Sequence, residues 1–169
     1  DLTEPPLFDL PMIRDRASAQ CTFSNQRSAL RNGVSLTVWD VSYSSWESID
    51  GRLVPIRIRG FAARPAGGDR LPGVVQAHGL GGYAEESHAT GTASLLGMFV
   101  IAYSGPGGGT DPANTSEGKP AGDGSGYRIF DTVKDVRGSW LWGHAVAAMR
   151  GLTCLEGRAD VDGGRLGMT

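Results

Sequence analysis

The stretch Leu71–Tyr83 reads LPGVVQAHGLGGY. A short apolar run, Gly73–Ala77, stops at His78, and Gly79-Leu80-Gly81-Gly82 follow before a helix-like segment begins. Glycines at a strand tip let the backbone turn sharply, so an N–H can face a bound group with no side chain in between. Acyl transfer needs such donors, because negative charge develops on a carbonyl oxygen and must be met by N–H groups already in place. The same residues formally satisfy the dinucleotide pattern as Gly79-x-Gly81-x-x-Ala84. That pattern calls for an Asp or Glu at the end of the next strand, to hold ribose hydroxyls. Here the next apolar run ends Ala102-Tyr103-Ser104. An NAD-binding domain is therefore the third reading, and an ordinary tight strand–helix turn is the bland one.

Other chemistry finds little support. Glu85-x-x-His88 is half of a di-iron helix motif without its second copy, and His144 sits between Gly143 and Ala145 on a helical stretch. There is no H-E-x-x-H and no Cys/His set with zinc spacing, so neither metal nor cofactor is expected. Gly105–Gly109 lacks the Gly-Lys-Ser/Thr ending of a phosphate loop, because Pro120 follows Gly118-Lys119. Ser116-x-x-Lys119 lies in a loop rather than opening a helix. Ser125 is flanked by Gly124 and Gly126, but Asp123 and Tyr127 occupy the positions where a nucleophile elbow needs glycine. No Gly-x-Ser-x-Gly occurs in the chain.

Composition narrows the class. The 169 residues are 40% hydrophobic and 20% charged, which fits a globular domain with a sizeable core. A net charge of −2 gives no basic footprint for nucleic acid, and no apolar run approaches the ~20 residues that span a bilayer. Neither nucleic acid nor membrane is expected as a partner. The 26 glycines cluster at Gly79–Gly82, Gly105–Gly109 and Gly118–Gly126, marking loops and not a fibrous repeat. Cys21 and Cys154 could pair in an oxidising compartment or stay as two buried thiols, and their spacing does not decide. The chain opens Asp1-Leu2-Thr3-Glu4 without an initiator Met. Removal of an export signal and trimming both account for this. A secreted or periplasmic location is favoured, with the compartment open.

The elements that must position the HGLGG turn follow from local pattern. Residues 1–35 read as an N-terminal arm with a short helix near Ala17–Leu30, and residues 36–169 as the body. Leu36–Ile49 and Leu53–Ala63 read as strands joined by a tight turn at Asp50-Gly51, with Ile56 and Ile58 on one face and Arg57 and Arg59 on the other. Gly73–Ala77, a helix over Ala84–Leu96 closed by Gly97, and a strand at Met98–Tyr103 indicate a parallel βαβ unit. Ser104–Gly126 is a loop whose length suggests that it lines a site. Asp131–Leu155 is helical, and Arg165–Thr169 begins a strand.

This order resembles the N-terminal half of an α/β-hydrolase, nearest the branch of acetyl xylan esterases, dienelactone hydrolases and prolyl oligopeptidase-like enzymes. Three places from Ser42 to Thr169 carry the resemblance: the Asp50-Gly51 hairpin feeding Arg64-Pro65, the HGLGG element, and the terminal Val161-Asp162-Gly163-Gly164-Arg165-Leu166-Gly167-Met168-Thr169. In the family, such a terminal segment leads into the nucleophile elbow. The resemblance implies an α/β fold, a mostly parallel sheet with an N-terminal antiparallel hairpin. It implies a serine hydrolase acting on a small ester or acyl substrate, or on a peptide bond. By that match the backbone N–H of Leu80 donates to the oxyanion, while His78 and Gly79 shape the loop. Gly81, Tyr83, Pro106 and Gly107 form a wall of the substrate pocket. Serine, acid and base would lie beyond Thr169, so none of His78, His88 and His144 is expected to be the triad base. A noncatalytic binding module on the same fold is the alternative.

A parallel sheet ending at Thr169 would expose a strand edge and lack helices over part of its faces. The expectation is that the chain is unstable alone and is completed by a companion C-terminal polypeptide carrying the Ser, Asp/Glu and His. Intact mass under denaturing conditions checks this. A second chain beside the 17.8 kDa species is expected, and a lone 17.8 kDa species overturns it.

Overall fold

The computed structural model describes residues 6–122, 128–130 and 135–169. Two expectations fall on residues outside these: the surroundings of Ser125 and the first residues of the helix expected from Asp131. The element order is α1 (Leu10–Ile13), α2 (Arg16–Ala19), β1 (Thr22–Arg31), β2 (Val34–Ile49), β3 (Arg52–Pro65), β4 (Leu71–Gln76), α3 (Glu86–Leu96), β5 (Phe99–Tyr103), α4 (Trp140–Glu156) and β6 (Val161–Met168). The strands form one sheet in the order β1-β2-β3-β5-β4-β6. Its β5-β4-β6 half is parallel, and the β1-β2-β3 half, with the β3-β5 junction, is antiparallel. The sheet is thus mixed, with more antiparallel pairing than the hairpin alone would supply.

The Asp50-Gly51 turn forms as expected, both residues having positive φ (50° and 74°), the conformation that matches strand twist in a two-residue hairpin. β2 and β3 pair from Leu36–Pro65 to Ile49–Arg52, whereas β5 pairs with β3 only over Gly60–Ala63. The rest of β3 therefore runs on past the carboxyl end of β5. A Cβ on Gly60 would lie 2.1 Å from the Ala102 carbonyl oxygen, so the β3–β5 junction requires glycine. Gly97 ends α3 in the left-handed conformation, with its N–H on the Ala93 carbonyl.

Segment Ala17–Leu30, expected to hold a helix, contains only the short α2 and then β1, so the sheet begins at Thr22 within the stretch read as an arm. β1 is an edge strand with polar residues on both faces. A register shift between Ser24 and Arg27, with Asn25 at φ 50°, breaks the alternation that would have revealed it. The helix expected from Asp131 to Leu155 is shorter at its start. Ser139 caps α4 by accepting the Leu141 N–H, and a 3-10 turn, Val136–Gly138, precedes it.

Two cores sandwich the sheet. One packs Val41, Tyr43, Ile58, Val75, Ile101 and Tyr103 with Ala147 and Leu155 of α4. The other packs Leu36, Val38, Phe61, Val74 and Val100 with Ala84, Ala89 and Ala93 at α3. The arm is tied down by α4. Arg150, with no exposed surface, donates to the carbonyls of Met12, Ile13, Asp15 and Ser44 and to the Ser18 hydroxyl. The Thr153 hydroxyl donates to Ile13 O at 3.1 Å, and Cys154 forms a disulfide with Cys21, closing a separation of 133 residues. The pairing that the sequence left open is therefore made. Replacing both cysteines by serine should lower unfolding free energy by about 2–5 kcal/mol, because the cross-link restricts the unfolded chain. Denaturant melts with and without reductant check this: wild type under reductant should match the double variant, and equal midpoints in all three would count against it.

Candidate active site

β4 and β6 run in parallel and finish side by side. Thr169 N–H donates to Val75 O at 3.0 Å and Ala77 N–H to Thr169 O at 2.8 Å. The next residue after Ala77 is His78, so the HGLGG turn stands at the carboxyl edge of the sheet beside the end of β6. Gly82 N–H closes the turn on Gly79 O at 3.0 Å, and Gly81 adopts φ 77°. Among the described residues, the N–H groups of Gly79, Leu80 and Gly81 have no partner within the chain, and the Leu80 side chain faces solvent.

The His78 imidazole braces this turn. Its Nε2 accepts the Gly105 N–H at 2.8 Å, and its Nδ1 lies 2.7 Å from Gly79 O. With Nε2 accepting, the ring proton sits on Nδ1 and is donated to Gly79 O, which fixes a neutral tautomer. Gly105 can reach His78 because it carries no side chain. A Cβ there would lie 2.5 Å from His144 Nδ1 and 2.7 Å from Trp140 Cζ2.

Four rings gather behind the turn. His144 stacks on Trp140 at 4.5 Å, with His78 at 4.9 Å and Tyr103 at 5.1 Å. Tyr103 Oη donates to His144 O at 3.0 Å, and Trp140 Nε1 donates to Pro106 O at 2.9 Å. Burial lowers the pKa of His78; the Gly79 carbonyl opposes that shift, and the charge of His88 adds to it. Burial, with repulsion from His78 where both rings are protonated, brings His144 from 6.5 down to about 4. Burial likewise pushes the Tyr103 phenol up, so all three rings are neutral at neutral pH.

A cavity of about 340 Å³ opens between the turn and the start of α3, bounded by Gln76, His78, Gly79, Gly82, Tyr83, His88 and Tyr103. Of the residues expected to wall a pocket, Tyr83 lines this cavity. Gly81 does not border it and sits exposed at the tip of the turn. Pro106 and Gly107 do not border it either. Pro106 is buried as the acceptor for Trp140, and Gly107 packs on the backbone of Lys119-Pro120, with its N–H on Glu117 O. His88 instead serves α3: its Nδ1 accepts the Glu85 N–H at 3.3 Å.

The Gly-rich loop is firmly seated. Ser104 N–H donates to Arg59 O and Glu117 N–H to Arg57 O along the free edge of β3, while Arg59 N–H donates to the Ser116 hydroxyl. Buried Glu47 of β2 accepts the Lys119 N–H and pairs with Arg128 at 3.2 Å. Gly105 belongs to the loop expected to line a site, whereas Tyr103, Trp140 and His144 were not expected there. Trp140 and His144 are four residues apart and share a helix face, so that spacing was a usable signal.

A mixed six-stranded sheet covered by α3 and α4, with the His-Gly turn at the carboxyl end of β4 beside the end of β6, defines the N-terminal half of the α/β-hydrolase fold. Solved structures agree. The chain is similar to the acetyl xylan esterase from Paenibacillus sp. R4, with 19% identity and a TM-score of 0.66, over 100% of this chain and 52% of that one. It is also similar to acetyl xylan esterase 1 from Thermoanaerobacterium sp. JW/SL YS485, with 16% identity and a TM-score of 0.61, over 98% of this chain and 51% of that one. The chain thus spans about half the length of these esterases, and at such identities the likeness is one of fold. No protein-family model and no curated protein matches the sequence.

The half-buried imidazoles make the fold sensitive to acid. A histidine whose pKa falls on folding takes up its proton more readily when unfolded, so its contribution is complete above about 6.5 and is lost as pH drops. Stability should therefore decline from about pH 6.5 towards pH 4, with His144 as a main contributor. Thermal melts across that range check this, and His144→Gln should flatten the profile.

Proposed function

We propose that this chain supplies the oxyanion loop and part of the acyl pocket of an α/β-hydrolase-type serine esterase. The Leu80 N–H is the first oxyanion donor, and His78 and Gly79 hold the loop in shape. The second donor, the nucleophilic serine, the acid and the catalytic base belong to polypeptide beyond Thr169, either continuous with this chain or a companion to it. One observation carries the reading: a turn whose backbone N–H groups have no partner among the described residues stands against the carboxyl end of β6, where an elbow following that strand would present its serine. Donors placed beforehand at such a position lower the barrier to the tetrahedral intermediate, because they need not reorganise as charge forms.

The histidines fit structural roles. Both ring nitrogens of His78 are engaged, and His144 is stacked on Trp140 and half-buried. Neutral rings beside the loop keep positive charge away from the site, leaving a base elsewhere to take the serine proton. Substrates to try first are acetyl esters, including acetylated xylan, because both similar structures are acetyl xylan esterases.

Two measurements on the complete protein test the proposal. A fluorophosphonate probe should label a serine outside Asp1–Thr169, and a label on a serine within these residues overturns the assignment. Leu80→Pro removes the N–H and should lower kcat for p-nitrophenyl acetate by about 10²–10³-fold. Leu80→Ala keeps the N–H and should stay near wild type. Equal activity in both variants would exclude Leu80 as the donor.

A further inference from the structure

We propose that Asn114 is a positioning residue for the oxyanion loop, holding the far end of the HGLGG turn as His78 holds the near end. Its catalytic consequence rests on the esterase reading above; its mechanical content does not. Among the described residues, Gly79–Tyr83 make few bonds of their own: Gly79 O receives the His78 Nδ1–H and the Gly82 N–H. The path of the turn is then set by its two ends, and both are held by the segment from Ser104 to Ser116.

At the near end Gly105 N–H meets His78. At the far end both backbone groups of Ala84 are taken by side chains. The Ser104 hydroxyl accepts the Ala84 N–H at 2.9 Å, and Asn114 Nδ2 donates to Ala84 O at 2.8 Å. Asn114 is 2% exposed and its other amide atom is also committed, Oδ1 accepting the N–H groups of Thr110 (2.8 Å) and Asp111 (3.0 Å). Ser104, fully buried, receives the Ser116 hydroxyl on its carbonyl at 2.8 Å, and Ser116 is in turn held by Arg59 of β3. Gly109, at φ 127°, lets the chain double back closely enough for Asn114 to reach Ala84. A Cβ there would sit 2.4 Å from Thr115 Cα.

The chemistry at position 114 is specific. A side chain there must donate towards Ala84 and accept from two amides at once, which a primary amide of this length does. Aspartate would set an oxygen against the Ala84 carbonyl, and alanine would orphan that buried carbonyl and free the Thr110 and Asp111 N–H groups. The far end of the turn would then be held through the Ser104 hydroxyl on the Ala84 N–H alone, with the Ala84 carbonyl released. A loop that pivots aims the Leu80 N–H poorly at an oxyanion, while the contacts that bind the ground state remain.

The test uses Asn114→Ala and Asn114→Asp in the complete protein. The control is Thr153→Val, which removes a buried hydrogen bond on the arm side of α4. Hydrogen exchange by mass spectrometry is read for residues 77–85, and kcat and KM for p-nitrophenyl acetate. In the Asn114 variants, exchange over 77–85 should quicken about tenfold or more through local opening. Their kcat should fall about 10–100-fold with KM little changed, as expected when geometry at the reacting centre is lost. Thr153→Val should lower Tm and move neither readout. Unchanged exchange over 77–85 overturns the proposal, as does a kcat loss that Thr153→Val reproduces at equal loss of Tm. If the unaltered protein hydrolyses no ester while exchange behaves as expected, the esterase reading fails and the positioning of the turn stands.

Discussion

The guanidinium of Arg150 is fully buried, and it lies among carbonyl oxygens rather than against a carboxylate. A buried charge is tolerated only where its donors are met, and here the last turn of α1, the entry to α2 and an inward carbonyl of β2 meet them. The indole of Trp46 lies 4.5 Å from the guanidinium carbon and adds a cation–π contact. Arg150 therefore fixes α4, the arm and β2 relative to one another in a single set of bonds. Removing it would take one donor from four backbone carbonyls at once, leaving Ile13 O to Thr153, Asp15 O to the Ser18 hydroxyl and Met12 O to the Asp15 N–H. The disulfide at Cys154, four residues further along α4, holds the same arm by a covalent route. Thr153 adds a third tie between them.

That placement matters to chemistry because α4 serves two regions. Its carboxyl-terminal half grips the arm, and its amino-terminal half presents Trp140 and His144 to the Gly-rich loop. Trp140 holds Pro106 O, and the flat stack of Trp140 on His144 leaves just the space that Gly105 fills. Gly105 then donates to His78, and His78 shapes the turn. A chain of contacts thus runs from a buried charge at one end of a helix to a backbone turn beyond its other end. Each step is a hydrogen bond or a close packing contact with a named partner. The pocket residues inherit their positions from that sequence of contacts, not from local turn propensity alone.

How much of this the sequence revealed depended on the range of each interaction. The Asp50-Gly51 hairpin, the βαβ unit with its Gly97 cap and the apolar strands β4 and β5 were legible, because turn chemistry and periodicity are local. The HGLGG turn was legible for the same reason. β1 was hidden because an edge strand with polar residues on both faces lacks the alternation that marks a half-buried one. The Cys21–Cys154 bond was undecidable, because a separation of 133 residues says nothing about proximity. Ser104, Asn114 and His144 looked like ordinary loop and helix residues. Their importance lies in partners 20 to 41 residues away, reached only once the loop has folded along β3.

Glycine richness has a similar two-part meaning. Glycine loses the most freedom on folding, so a loop dense in it is costly to order and orders only when something else holds it. Here the polar side chains Glu47, Ser104, Asn114 and Ser116 do so, each buried and each bonded to backbone. The glycines permit approach: Gly105 to the imidazole of His78, Gly107 to Lys119-Pro120, Gly109 to Thr115. The polar residues then convert approach into fixed geometry. Glycine alone would give a flexible loop, and polar side chains on bulkier backbone could not get close enough to act. The combination yields a turn whose N–H groups, unpartnered among the described residues, stand in a settled place, which is the condition that preorganised stabilisation of an oxyanion requires.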